Sequence, residues 1–149
     1  TKTRTRTQTT LTKLAMLVAN VHGELALVEK LLDEARAAVA VAEDAGDVVQ
    51  LQNNRVTTQQ KSREMVRAVA RERTEEMLAL ALKRRHQALL QMRESLYATV
   101  RQFDPGLDPA DIRSNEGWLK KFGRGGGKAA VGRYLQAISL SYPSARSAT

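Results

Sequence analysis

An all-α fold, organised as a long antiparallel helical hairpin, is what the sequence predicts, and three observations predict it. An apolar repeat in threes and fours begins at Leu11 and persists to Ala42. A second tract of helical character fills roughly residues 59–103. Proline is scarce, three in 149 residues, and aromatics are few, while Ala, Leu, Arg and Val are abundant.

The first helix carries the clearest pattern. Leu11, Leu14, Val18, Val21, Leu25, Val28, Leu32, Ala35, Val39 and Ala42 alternate spacings of three and four, which places them along one seam. Leu17, Leu31 and Ala38 widen that seam on one side, so a bundle face is expected rather than a bare two-stranded coil. Thr9 or Thr10 can cap the start and Gly46 can end the helix, giving a rod about 50 Å long.

Residues 50–60, QLQNNRVTTQQ, are nearly all polar and read as a connector or a solvated helix start. In the second tract, Met65, Val66 and Val69 form one patch; Leu78, Leu82, Leu89, Met92, Leu96 and Phe103 form a longer stripe. Between them RERTEE has nothing apolar. It is either a fresh helix start capped at Thr74 or an exposed stretch of one continuous helix. DPGLDP then breaks the tract, and Asp108-Pro109-Ala110-Asp111 reads as an N-cap, a first-turn proline and a first-turn acid. A short helix there, another around Trp118 and a last one from about Lys128 to Leu140 complete the prediction. The expected organisation is a basic arm (1–10), the hairpin (11–103), a small helical C-terminal unit (104–143) and a tail (144–149). A hairpin of this length buries a narrow strip, so a third element or another subunit must cover the remaining apolar width.

Charge divides unevenly along this plan. The formal net charge is +8 and the pI about 10.2. Between Leu11 and Gln50 the acids outnumber the bases, whereas from Leu51 to Gln102 eleven bases face five acids. The positive surplus therefore lies in the first ten residues and beyond Leu51, and it points to an anionic partner, DNA or RNA before a membrane surface. No uninterrupted run of eighteen apolar residues and no signal peptide is visible, so no membrane-spanning helix is expected. Cysteine is absent, which removes disulfides, thiolate nucleophiles and thiolate metal sites, and fits a cytoplasmic setting.

Three stretches are candidates for contact with a polyanion. TKTRTRTQTT opens the chain with Lys2, Arg4 and Arg6 between threonines, an arm that would order on phosphates. Ribbon-helix-helix repressors use a short basic strand at this position, but they follow it with short helices, unlike this chain. Along the second tract Arg63, Arg67 and Arg71 recur every four residues, and Lys83, Arg84 and Arg85 form a further cluster. Glu64, Glu72, Glu75, Glu76 and Glu94 are available to pair with them, which would make an ordinary solvated face.

In GWLKKFGRGGGKAAVGRYL, residues 117–135, Trp118 is interleaved with Lys120, Lys121, Arg124, Lys128 and Arg133, a mixture suited to phosphates and bases. It is not a Walker loop, because Phe122 stands where the first glycine belongs and Ala129 where Ser or Thr would hold magnesium. Gly123, Gly125 and Ala129 resemble the hairpin of helix-hairpin-helix motifs, with Arg124 at the usual apolar position. The competing reading is a glycine linker whose aromatics simply pack the C-terminal unit.

Catalysis finds little support. His22 and His86 are the only histidines and begin no ligand spacing, so no metal, cofactor or enzymatic activity is expected. The expected function is non-catalytic binding of DNA or RNA through the backbone. The alternative is a structural subunit, a homo-oligomer or part of a larger assembly. Its basic face would then line a nucleoprotein filament, a virion or an RNA-guided effector complex; in general profile (small, basic, helical, without catalytic residues) the chain is similar to the small subunits of CRISPR effector complexes.

Overall fold

The threonine-rich start does not delay the first helix. The computed structural model describes residues 6–52, 58–124 and 127–141. In it α1 spans Arg6–Gln52, 47 residues, beginning before Leu11 and running past Gly46. Thr12 Oγ1 donates to the Gln8 carbonyl at 2.9 Å, so its hydroxyl is satisfied without leaving the helix. A single interior glycine costs about 1 kcal/mol relative to alanine, too little to stop a helix that continues on both sides. The expected end at Gly46 is corrected accordingly.

The second helix, α2, spans Thr58–Phe103 without interruption. The choice left open at RERTEE is settled for continuity, because Thr74 Oγ1 donates to the Ala70 carbonyl at 2.9 Å instead of capping a new start. After Phe103 comes a 3₁₀ turn, Pro109–Asp111, where the Asp108 carboxylate accepts from the Ala110 N–H at 3.0 Å. The cap forms as expected, but the helix it opens is a single turn. Two helices follow, α3 at Gly117–Phe122 and α4 at Gly127–Ser141. No strand occurs among the described residues. The two long helices pack against each other as a hairpin.

The packing resolves into two compact units. The first takes α1 as far as Glu29 together with Arg84–Arg124. Its core holds Val18, Val21, Leu25, Leu27 and Val28 from α1, Leu89 and Val100 from α2, and Phe122 from α3. The segment after α2 lies directly on α1 here. The Asn115 N–H donates to the Ala19 carbonyl at 2.8 Å, and Trp118 Nε1–H donates to Asn20 Oδ1 at 2.7 Å. Gly23 makes this approach possible, since a Cβ on it would sit 2.0 Å from the Asn115 carbonyl oxygen.

In the same unit His22 joins the pieces. Its Nδ1 lies 2.8 Å from the Ile112 carbonyl oxygen, which can only accept, so Nδ1 carries the proton. In the neutral ring Nε2 then accepts from the Tyr97 hydroxyl. Arg93 and Arg101, one turn before and after Tyr97, each bring a guanidinium within 6 Å of its ring, at 5.8 and 5.7 Å.

The second unit takes α1 from Lys30, α2 as far as Lys83, and α4. Its core holds Leu31, Leu32, Ala35 and Ala42 of α1 and Leu82 of α2, and α4 contributes Ala130, Val131 and a fully buried Tyr134. In each unit a third piece of the same chain covers the hairpin, as the narrow seam requires. The residues expected as one C-terminal unit are shared between the two. The seam is correct for Val18 through Ala35 and for Ala42, but Leu17, expected to widen it, is 52% exposed. Met65, Val66 and Val69 are likewise on the outside.

By length and composition alone, Gln8–Asp44 of α1 could cross a membrane. Averaged hydropathy passes over the isolated polar residues, such as Asn20, His22 and Glu24, that interrupt any continuous apolar run. Inside that stretch Glu24 is buried at 1% exposure and held by Arg85 of α2, an arrangement of a packed protein core.

Candidate nucleic-acid interface

An arginine can reach a phosphate only if nothing in its own chain already holds it. On α2, Arg63, Arg67 and Arg71 are exposed, one turn apart and about 6 Å from each other along the axis. Arg73, Lys83 and Arg84 are exposed on the same helix. None of these six forms an ion pair with a described residue.

Four of the five glutamates that could have neutralised the row are directed elsewhere, and the fifth, Glu64, forms no ion pair with a described residue. The buried Glu75 accepts from Lys128 Nζ of α4 at 3.0 Å, and Glu94 lies 3.5 Å from its neighbour Arg93. Glu72 and Glu76 gather with Glu43 of α1, one oxygen from each lying within 4.8 Å of the others. Acids thus collect on the α1 side of α2 and leave the arginine row positive.

Several expected contacts are corrected. Arg85 is engaged inside the protein: Nε and Nη2 donate to the two oxygens of Glu24 at 2.6 and 3.0 Å, a fork-to-fork pair. It pairs with a buried carboxylate and is not a phosphate contact. Lys128 is half-exposed but committed to Glu75. Trp118 is half-buried, stacked on Phe122 with ring centroids 6.0 Å apart, and its N–H is used by Asn20. Its indole is therefore a packing element and not a free platform for a base. Phe122 and Tyr134 are buried as well.

The remaining cations of the C-terminal stretch are outward. Lys121 lies over the Phe122 ring at 5.4 Å, Lys120 is 3.7 Å from Glu116 with both groups mostly in water, and Arg124 and Arg133 are exposed. An exposed pair such as Lys120–Glu116 contributes between nothing and about 1 kcal/mol, so an arriving phosphate can displace it. Arg6 is exposed in the first turn of α1, whereas Lys2, Arg4 and the helix-hairpin-helix position Gly125 fall outside the described residues. Exposed cations beyond α1 that were not among the sequence candidates include Arg73, Arg101 and Arg113. Helix continuity through RERTEE places Arg73 on α2, on a different face from Arg71.

Unit two also contains a pocket of about 170 Å³ lined by Glu34, Ala35, Ala38, Glu75, Leu78, Lys128 and Val131. Two carboxylates against one ammonium make it unfavourable to phosphate, so it is separate from the basic surface. Comparison with protein-family models, with curated proteins and with solved structures returns no match to this chain.

Proposed function

We propose that this protein is a non-catalytic nucleic-acid-binding protein that engages the phosphate backbone with little base specificity. The observation that carries the reading is the unneutralised cationic row Arg63–Arg67–Arg71 on α2; Arg73, Lys83 and Arg84 are exposed on other faces of the same helix. Each guanidinium can neutralise one phosphate and release its condensed counterion. Lys120, Lys121 and Arg124 form a second cationic patch, and Lys2 and Arg4 would add contacts from the chain start. Base readout is weak in this scheme because Trp118, Phe122 and Tyr134 are engaged in packing. Direct readout needs side chains aimed at base edges, whereas this surface offers a field of charge.

The test is fluorescence anisotropy with a short labelled duplex and a single strand across a salt series. Affinity should fall steeply with salt, and Arg67→Glu combined with Arg71→Glu should weaken it at least tenfold. It should also lower the log–log salt slope by about 2, one for each phosphate contact removed. Reversal at Lys120, Lys121 and Arg124 reports the second patch separately. Absence of binding, or affinity indifferent to salt, overturns the proposal.

A further inference from the structure

The face of α2 turned away from the core of unit two is apolar, an unusual surface for a helix so rich in arginine. Val66, Val69, Met77 and Leu80 are 67%, 43%, 71% and 48% exposed. At 100° per residue they fall, with Arg73, inside an arc of about 80°. The strip runs for about 21 Å along the axis, with Arg63 and Lys83 at its two ends. Two apolar patches, Val66–Val69 and Met77–Leu80, separated by Arg73 and rimmed by charge make a docking surface.

The same unit carries a complementary face. On α1, Asp33, Ala37, Ala40, Val41 and Asp44 are all exposed and share an arc of about 100°. Alanines make this face low enough for another helix to approach closely, and Val41, 67% exposed, supplies apolar area. Asp33, 4.0 Å from the exposed Arg36, and Asp44 stand at its two ends. Asp33 and Asp44 stand about 16 Å apart along α1, and Arg73 stands about 15 Å from either Arg63 or Lys83 along α2. One strip has acids at the spacing at which the other has bases.

We infer that copies of this protein associate through unit two, the Val66–Leu80 strip of α2 in one copy docking on the Asp33–Asp44 face of α1 in the next. The two surfaces differ, so the contact is heterologous, and after one contact the first copy keeps its α1 face and the second its α2 strip unused. Such a contact propagates into a ring or an open chain and does not stop at a dimer. Arg67 and Arg71 lie outside the strip on the α2 helix wheel, so these two arginines remain available along the assembly.

The experiment uses the full chain, freed of nucleic acid by nuclease and high-salt washing, in sedimentation velocity over a concentration series. Wild type should pass from monomer to species larger than dimer as concentration rises. Two variants separate the faces: Val66→Ser with Met77→Ser removes the α2 strip, and Asp33→Lys with Asp44→Lys inverts the α1 face. Each alone should remain monomeric, while an equimolar mixture should form a 1:1 dimer, because each variant retains the face its partner lacks. All four positions are exposed, and far-UV circular dichroism checks that helix content is kept. Should the serine pair lower it, Arg73→Glu serves as the α2 variant.

A wild type that stays monomeric at its highest soluble concentration overturns the inference. So does a mixture that stays monomeric, or a single variant that still assembles. A chain that is monomeric alone but captures an acidic helical protein would assign the strip to a foreign partner and equally overturn it. The readout contains no nucleic acid, so its failure is distinct from failure of the backbone-binding reading.

Discussion

Gly23 shows how much one missing side chain can decide. Replacing a helical glycine with alanine ordinarily stabilises by up to about 1 kcal/mol. Here the added methyl would meet the Asn115 backbone, which is itself tied to Ala19, and neither partner is a flexible side-chain end. Gly23→Ala should therefore lower the urea midpoint, and a gain in stability would contradict the close approach. The Glu24–Arg85 pair makes a second residue-scale prediction. Arg85→Met removes the bidentate partner of a carboxylate that is 1% exposed, and should cost about 3–5 kcal/mol in equilibrium unfolding. Adding Glu24→Leu to it should recover much of that loss, since the stranded charge is then gone.

Tyr97 supplies the pH dependence. Burial raises its hydroxyl above the ordinary value near 10, against the opposing pull of Arg93. Above about pH 10 the unfolded chain has lost this proton while the folded chain retains it, so the folded state binds more protons there. The contribution is complete below pH 10 and is lost as pH climbs through the folded value. Tyr97→Phe should flatten the fall in urea midpoint between about pH 9 and about pH 11, and an unchanged slope would remove Tyr97 as its source.

At the scale of the element, α2 combines two functions on different faces. Leu82 and Leu89 are buried at 0% exposure and hold the helix to the core, so truncating either to alanine should cost about 2–5 kcal/mol by denaturant titration. Arg67 and Arg71 are exposed and unpaired with any described carboxylate, so reversing them should leave the unfolding midpoint nearly unchanged while nucleic-acid affinity falls.

Much of this was legible in sequence. The α1 seam reported its own core because apolar spacing records which side of a helix faces inward. The Asp108 cap and the positions of α3 and α4 followed from local chemistry. Arg85 was not legible as an internal residue, because nothing within α2 says that Glu24, 61 positions earlier, lies buried opposite it. Trp118 misled for the same reason: its partner Asn20 is 98 residues away. Local rules found the elements, and long-range pairing decided which charged and aromatic side chains remained available.

For the molecule as a whole, stability depends on the pieces that follow α2. The segment 104–124 and helix α4 cover the hairpin in the first and second unit respectively. A chain ending at Phe103 should lose the Asn115 and Trp118 anchors and the Tyr134 core. Its thermal unfolding should become broad and weakly cooperative, and a sharp transition like that of the full chain would show that the hairpin is self-sufficient.

The distance in sequence between partners also bears on biosynthesis. Trp118 must be in place before it can donate to Asn20, and Glu24 meets Arg85 only once α2 has emerged. A nascent α1 therefore leaves the ribosome with its oily seam bare and waits for most of the remaining chain to be translated. During that interval a holding chaperone, or another newly made copy, is the nearest cover for it.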